Sequence, residues 1–324
     1  MTINENPWTG IEKPASDFNV LRVDPGHRHD FFWGINAKGD YFLLLEVSEQ
    51  HKEYLEKSLI ELKGIRTDLR TIKGGKLFFI VSLRSKEYLD IFYRLCLDLV
   101  DSTKQIEEQK TALEIVHSRL KRWRNFLSRG TDHLLTAQEV QGLFAELTFF
   151  YDCLKTSGNI AAVTSGWQGP LGGPHDFILG KYAVEVKSVA GSQKDFVRIS
   201  SENQLVSHLE KLFLHVYFLA ESMDGADGVS LNQMVEKIWT EIGEEDSREL
   251  FDSKLYEAGY IELKEYDSPC FLITGQKTYE VREGFPRITP DALSAGLANV
   301  SYDLSLKFLN EYGCGYPYQR EDIW

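Results

Sequence analysis

The segment PHDFILGKYAVEVKS, residues 174–188, decides the fold of the region around it. Two short stretches, residues 175–179 and 182–187, flank the dipeptide Gly180-Lys181. A two-residue loop that begins with Gly is typical of a type II′ β-hairpin. Because loop length fixes register, residue 179 is predicted to face 182 and residue 177 to face 184. The same register places Asp176 opposite Glu185.

Alternation along this hairpin separates an apolar face from a charged one. Successive side chains of a strand point to opposite faces. One face is predicted to be apolar and buried, and it holds Phe177, Leu179, Tyr182, Val184 and Val186. The other face is predicted to hold Asp176, Ile178, Ala183, Glu185 and Lys187. Two carboxylates and one ammonium group should therefore converge on one spot.

Two carboxylates placed across a hairpin repel each other unless a cation lies between them. Magnesium takes oxygen ligands and is commonly held by one or two carboxylates together with a substrate phosphate. Lys187 could activate or orient a water molecule, or stabilise developing negative charge. The alternative is an ion pair between Lys187 and Glu185 in an unrelated α+β scaffold, because the pattern ExK alone is common on strands.

An acidic side chain also precedes the hairpin on a predicted helix. Thr136 and Glu139 have the spacing of a capping box, which predicts a helix that begins after Thr136. Its apolar stripe runs beside Glu146. Gly142 costs about 1 kcal/mol relative to Ala in a helix, so close packing against its face is expected. Further along, residues 212–220 are almost wholly apolar, as in a strand that is buried on both faces.

The first hundred residues indicate a separate α+β unit. Strands are predicted within residues 31–47 and from Lys76, and a helix over residues 86–100. A second long helix is predicted after this unit, over residues 106–127. The second helix is basic in its C-terminal half. This face is either a solvated surface favoured by the helix dipole or a strip that contacts phosphate. Its cationic side chains are Arg119, Lys121, Arg122 and Arg124.

Bulk composition limits the function classes. The chain has 324 residues and a net charge of −13, which opposes nonspecific attraction of the whole surface to DNA but allows a local basic cleft. Its four cysteines do not form CxxC pairs, so we expect reduced thiols and no structural zinc. No apolar run is long enough for a membrane span, and the first residues do not resemble a secretory signal. We therefore expect a cytoplasmic protein that does not bind membranes.

The combination of Glu146, Pro174-His175-Asp176 and Glu185-Val186-Lys187 resembles the PD-(D/E)xK nuclease superfamily over about residues 136–220. The motifs GLFAELTFF, HDFILG, YAVEVKS and ISSENQL resemble a poorly characterised branch of it, found near bacterial restriction and defence genes. The resemblance implies an α/β fold, α+β overall, with a restriction-endonuclease-like core: a central mixed sheet flanked by helices. His175 separates Pro174 from Asp176, so the literal PD is absent, and a packing role is favoured for it.

The resemblance also implies roles for individual residues. Asp176 and Glu185, with the Val186 carbonyl and Glu146, would bind Mg²⁺, for which Mn²⁺ can substitute. Lys187 would be the catalytic lysine alongside the three acids. Gln204 stands where related nucleases place a polar helix residue, and an exposed or capping role is its alternative. With Gln204, the basic strip of the preceding helix is the candidate DNA-binding surface.

The implied function is Mg²⁺-dependent endonucleolytic cleavage of DNA in restriction or anti-phage defence. The alternative is an inactive nuclease-like subunit that binds DNA or assembles with other defence proteins. A homodimer would allow both DNA strands to be cut. Three segments are expected: an N-terminal α+β domain (1–103), a nuclease-like core with a helical lead-in (104–255) and a C-terminal α+β extension (256–324).

Overall fold

A computed structural model describes residues 6–72, 75–128, 134–191, 195–222 and 228–317. The chain forms two compact units, Met1–Leu134 and Leu135–Trp324. Both mix helices with β-sheets, so the protein is α+β overall. The division falls later in the sequence than residue 103, because the basic helix packs with the elements before it.

The N-terminal unit is built on a six-stranded antiparallel sheet with the strand order β1-β2-β3-β6-β5-β4. Its strands are β1 (Phe18–Arg22), β2 (Phe31–Asn36), β3 (Tyr41–Val47), β4 (Glu61–Leu62), β5 (Ile65–Thr71) and β6 (Leu77–Leu83). Its helices are α1 (Lys52–Glu56), α2 (Leu89–Thr103) and α3 (Gln109–Ser128). The apolar residues of β3 and β6 are buried, which explains the strong hydrophobicity of both segments.

Helix α3 packs against α2 and β4 of this unit. A buried polar contact joins the two helices: Asp98 of α2 accepts hydrogen bonds from the Arg119 guanidinium and, at 2.8 Å, from the Trp123 indole. The buried Asp98 carboxylate is thus neutralised by the Arg119 guanidinium and hydrogen-bonded by Trp123, as a charge removed from water requires. Arg119 therefore has a structural contact inside the unit.

The C-terminal unit contains a five-stranded mixed sheet with the order β13-β11-β10-β8-β7. Its strands are β7 (Phe177–Leu179), β8 (Tyr182–Ala190), β10 (Lys211–Ser222), β11 (Cys270–Glu280) and β13 (Gly313–Cys314). Strands β8 and β10 are parallel, and the other pairs are antiparallel. A small second sheet pairs β9 (Phe196–Ile199) with β12 (Tyr302–Ser305). The helices are α4 (Ala137–Ser157), α5 (Ile160–Gly166), α6 (Leu231–Glu241) and α7 (Glu245–Glu257).

The two faces of the central sheet are covered differently. Helix α4 lies on one face, where the Phe149 ring packs against Phe177 and His215. On the other face, Ala183 and Leu214 belong to an apolar cluster with residues of the β9–β12 sheet and of the segment after β11. Residues 256–317 therefore supply strands and core contacts to this unit. The stretch CFLIT (270–274) and the first two residues of YEVRE, Tyr279 and Glu280, belong to one strand, β11, which ends at Glu280.

Local signals at α4 are confirmed in part. Thr136 and Glu139 form the capping box in both directions, as the spacing predicted. The expectation for Gly142 was wrong, because a Cβ added there would meet nothing within 4 Å. The side of α4 at Gly142 is open, so its helix cost is not explained by close packing.

Candidate functional site: an acidic cluster at the end of the β7–β8 hairpin

The hairpin has the register that its loop length predicts. Phe177 pairs with Val184, Ile178 with Ala183 and Leu179 with Tyr182, while Gly180 adopts a positive φ of 56°. The ladder ends at Phe177, and Asp176 lies one residue beyond it. All five residues assigned to the apolar face are buried: Phe177, Leu179, Tyr182, Val184 and Val186.

At Asp176 the backbone pairing with β8 stops, and the Asp176 side chain takes the next β8 hydrogen bond instead. Its Oδ2 accepts the Val186 N–H at 2.7 Å. On the opposite side, its own carbonyl accepts the N–H groups of Gln168 at 2.7 Å and Gly169 at 3.0 Å. The N–H and C=O of one strand residue point to the same edge, so the Val186 carbonyl also points to the edge where β7 has ended. Sheet pairing stops here, and polar groups gather in its place.

Glu185 and Lys187 lie on β8 at this edge. Glu185 is fully buried, and the Lys187 Nζ lies 2.6 Å from its Oε1 in a close ion contact. Within the described chain, no hydrogen bond of standard geometry reaches either carboxylate oxygen of Glu185. Apart from Lys187, no donor among the described residues reaches this buried carboxylate, so the group has capacity for a further cationic partner.

Glu146 joins the cluster from helix α4. The Trp167 indole N–H donates to its Oε2 at 2.8 Å. Trp167 is fully buried and follows the end of α5, where it also forms a β-bridge with Phe177. Strand β7 therefore lies between β8 and Trp167, and the indole orients the helix carboxylate towards the end of the hairpin.

The four charged groups influence one another strongly. Burial and the nearby Asp176 raise the pKa of Glu185 to about 8, against the opposing effect of Lys187. Burial likewise raises the pKa of Glu146 and that of Asp176. Burial alone would lower the pKa of Lys187, but Glu185 and Asp176 outweigh it, and that pKa is raised. With three carboxyl groups and one ammonium group, the metal-free cluster favours protonation of part of its acids at neutral pH.

Gly169 brings the backbone unusually close to two of these carboxylates. A Cβ added at Gly169 would lie 2.5 Å from the Glu146 Oε2 and 3.2 Å from the Asp176 Oδ1. The absence of a side chain therefore leaves the space between the two acids open. Residues 167–176 are rich in Gly and Pro, a composition that indicates only a loop, so neither Trp167 nor Gly169 was predicted as a site residue. Neither has a local signal, because their partners lie elsewhere in the chain.

The donors at this site fit a hard divalent cation. They are carboxylate oxygens of three acids that share one lysine, and burial raises the pKa of each acid, so a divalent cation could take the place of their protons. The described residues contain no group of three or more His, Cys, Asp or Glu arranged to hold a metal ion by themselves. Magnesium, which keeps several waters and commonly takes one or two carboxylates, suits such an incomplete set.

The remaining candidate residues lie as follows. The Gln204 Oε1 accepts the Ser200 N–H at 2.7 Å, within described residues that form turns and no helix. His175 is buried, and burial lowers its pKa, while its packing role stays a prediction. Of the basic strip, Arg119 contacts Asp98, whereas three side chains are exposed on α3: Lys121, Arg122 and Arg124.

Comparisons with known proteins identify the family and nothing narrower. Among the described residues, no helix combines the length and the apolar character that crossing a bilayer requires. Neither a curated protein nor a solved structure matches the chain significantly. A family model described as "Putative PD-(D/E)XK family member, (DUF4420)" matches residues 4–307. Since that match covers nearly the whole sequence, the chain belongs to this PD-(D/E)XK family, and its core has the restriction-endonuclease-like fold that the residues around the β7–β8 hairpin predicted.

Proposed function

We propose that the protein is a Mg²⁺-dependent endonuclease that hydrolyses phosphodiester bonds of DNA, with a role in restriction or anti-phage defence. The defence role rests on the family resemblance alone. The observation that supports the hydrolytic activity is the acidic cluster: Glu146, Asp176 and Glu185 share one lysine, and Lys187 is the one cationic contact of the buried Glu185 among the described residues. Membership of a PD-(D/E)XK family agrees with a divalent metal at this place.

Asp176, Glu185 and the Val186 carbonyl would hold the cation, with Glu146 as a further ligand or as a contact to its water. A divalent cation would supply Lewis-acid polarisation of a phosphoryl oxygen. Asp176 is held by the Val186 N–H, and Glu146 is held by the Trp167 indole. These hydrogen bonds orient both carboxylates before substrate binds. Groups that hydrogen-bond to metal ligands commonly fix the orientation of those ligands in this way.

Lys187 would act on the reacting groups directly. Its raised pKa keeps the ammonium protonated at neutral pH, and its side chain is partly accessible, unlike that of Glu185. A protonated lysine at this position can hydrogen-bond an attacking water and stabilise the negative charge that develops on the phosphate. The Lys187 ammonium contacts Glu185, so its positive charge lies beside the carboxylates that would bind the metal.

DNA affinity would come mainly from the N-terminal unit. Residues 135–324 contain 15 Lys and Arg against 29 Asp and Glu, whereas residues 1–134 contain 21 against 20. An acidic catalytic unit is repelled by phosphate, so the exposed cations of α3 are the candidate DNA contacts. Replacing Lys121 or Arg124 with Ala should weaken binding to all DNA sequences and reduce the salt slope by about one unit each. An unchanged slope in a salt titration would exclude this surface.

The direct test is cleavage of supercoiled plasmid in Mg²⁺. We expect the wild type to nick the plasmid and Asp176→Ala and Lys187→Ala to lose about 100-fold or more of the rate. Lys181→Ala is the matched control, because Lys181 lies in the turn of the same hairpin and pairs with the exposed Glu210. Methylated and unmethylated plasmids, with and without proteins encoded nearby, would define the substrate. Equal nicking by the wild type and both site variants contradicts the proposal.

A second candidate is a nuclease-like subunit that binds DNA or a protein partner without cutting. The net charge of −13 favours it, because an acidic nuclease depends on other surfaces or partners for affinity. Calorimetry with Mn²⁺ separates the two. A subunit without catalysis need not bind metal through Asp176 and Glu185, whereas the proposed nuclease must.

A further inference from the structure

Lys254 of helix α7 is a buried lysine whose partners are all main-chain carbonyls. Its Nζ donates to the carbonyls of Thr164 at 2.8 Å and Ser165 at 3.0 Å, and to that of Trp167. The residue is only 3% exposed, and no Asp or Glu of the described chain contributes to its pKa shift or forms an ion pair with it. Burying a charge without a counter-ion costs free energy, and the three carbonyl contacts offset part of that cost. The contacts also hold the chain around these carbonyls in place.

The three carbonyls belong to the end of α5 and the residue that follows it. Carbonyls in the last turn of a helix have no partner within the helix, and a cation there is favoured by the helix dipole. The opposite side of this turn presses on β7, because a Cβ at Gly166 would lie 2.6 Å from the Ile178 carbonyl oxygen. The turn is therefore held between the Lys254 ammonium and the first strand of the hairpin.

The residues fixed in this way are the ones that contact the acidic cluster. Trp167, whose carbonyl Lys254 binds, donates its indole N–H to Glu146. The next two N–H groups, of Gln168 and Gly169, donate to the Asp176 carbonyl. One buried side chain thus holds a continuous segment that touches both flanking acids.

Lys254 does not act on these acids through its charge. Burial lowers the pKa of Lys254 to about 8, and no carboxylate of the cluster contributes to that shift. The ammonium is still mainly protonated at neutral pH and can donate to three acceptors. Its influence on the site must therefore pass through the chain.

We propose that Lys254 is a positioning residue that fixes the segment from α5 to β7 and so sets the orientation of Trp167 and, through its indole, of Glu146. This inference rests on the proposed metal site. A purely structural lysine would contribute to folding stability alone, whereas a positioning lysine also changes how tightly the site binds a divalent cation.

The test measures Mn²⁺ affinity by calorimetry, with circular dichroism melting beside it. Lys254→Met retains the length of the side chain and removes every donor, and Trp167→Phe retains an aromatic ring but removes the indole N–H. Each should weaken Mn²⁺ binding by about tenfold, as loss of a ligand-orienting partner does. Lys254→Arg should restore most of the affinity. Lys237→Met, at an exposed position of α6, is the matched control and should bind as the wild type does.

The double variant Lys254→Met/Trp167→Phe tests whether Lys254 influences the metal site through Trp167. If Lys254 acts through Trp167, then Lys254→Met should weaken Mn²⁺ binding little further in a Trp167→Phe background. Fully additive losses, or unchanged affinity in folded Lys254→Met, overturn the inference. If Lys254→Met does not fold, unchanged affinity in Trp167→Phe overturns it instead. Absence of Mn²⁺ binding by the wild type overturns the proposed function itself, which is a different result.

Discussion

Glu185→Gln should stabilise the metal-free protein at pH 8 and leave its stability at pH 5 nearly unchanged. Glu185 is fully buried, and its pKa is raised from 4.5 to about 8. A carboxyl group with a raised pKa favours the folded state only while it is protonated. The free energy of unfolding should therefore fall as the pH rises from about 4.5 to about 8, and then level off.

The size of the effect follows from the shift. Each unit of pKa corresponds to about 1.36 kcal/mol, so a rise from 4.5 to about 8 gives an upper limit of about 5 kcal/mol. Gln has the same shape but no charge, so the variant does not lose this stability. The neighbouring Glu146 should titrate closer to its ordinary range, because Glu185 contributes to raising its pKa. Lys187 keeps its charge across the whole range, since its pKa is raised.

Urea unfolding in EDTA at pH 5 and pH 8, followed by tryptophan fluorescence, measures the difference. All other ionisable groups are common to both proteins, so the comparison between variants isolates Glu185 together with its effect on Glu146. Glu210→Gln is the control, because Glu210 is exposed in its pair with Lys181. Mg²⁺ at 100 times its Kd should then stabilise the wild type at pH 8 by about 2.7 kcal/mol and the variant much less. Equal pH dependence in the wild type and Glu185→Gln would refute the reasoning.

Three further substitutions test separate parts of the structure. Gly169→Ala should lower Mn²⁺ affinity by about tenfold with little loss of stability, because its Cβ displaces only the flexible end of Glu146; unchanged affinity in calorimetry argues against it. Gly142→Ala should raise the melting temperature by roughly 2–4 °C, since the added Cβ meets open space and the helix gains about 1 kcal/mol. Asp98→Asn should destabilise the protein by about 3 kcal/mol in urea unfolding, because the Arg119 guanidinium loses its charged acceptor; a loss below about 1 kcal/mol would contradict that role.

Features fixed by local chain geometry were predictable. The register of the β7–β8 hairpin depends on a two-residue loop and on strict alternation, and the pairs Phe177–Val184 and Leu179–Tyr182 follow from them. The start of α4 depends on two residues three positions apart. In both cases the interacting groups lie close in sequence, so composition and spacing contain the necessary information.

Other features depend on partners distant in the chain. Because the β7–β8 ladder ends at Phe177, the Val186 N–H donates to the Asp176 side chain and not to a β7 carbonyl. The alternation of side chains alone does not predict where the ladder ends. Trp167 contacts an acid 21 residues away, and Lys254 reaches a carbonyl 87 residues away. The packing of α3 against the N-terminal unit is likewise a long-range contact.

The sequence by itself determined the hairpin, its two faces and the identity of the acids and the lysine, because a short turn and a period of two fix them locally. Only the tertiary structure decided how these groups are held: which strand ends first, which indole and backbone amides meet the carboxylates, and how deeply Glu185 is buried. Those properties arise when segments far apart in sequence exclude water together, and burial is what raises the pKa values of the cluster.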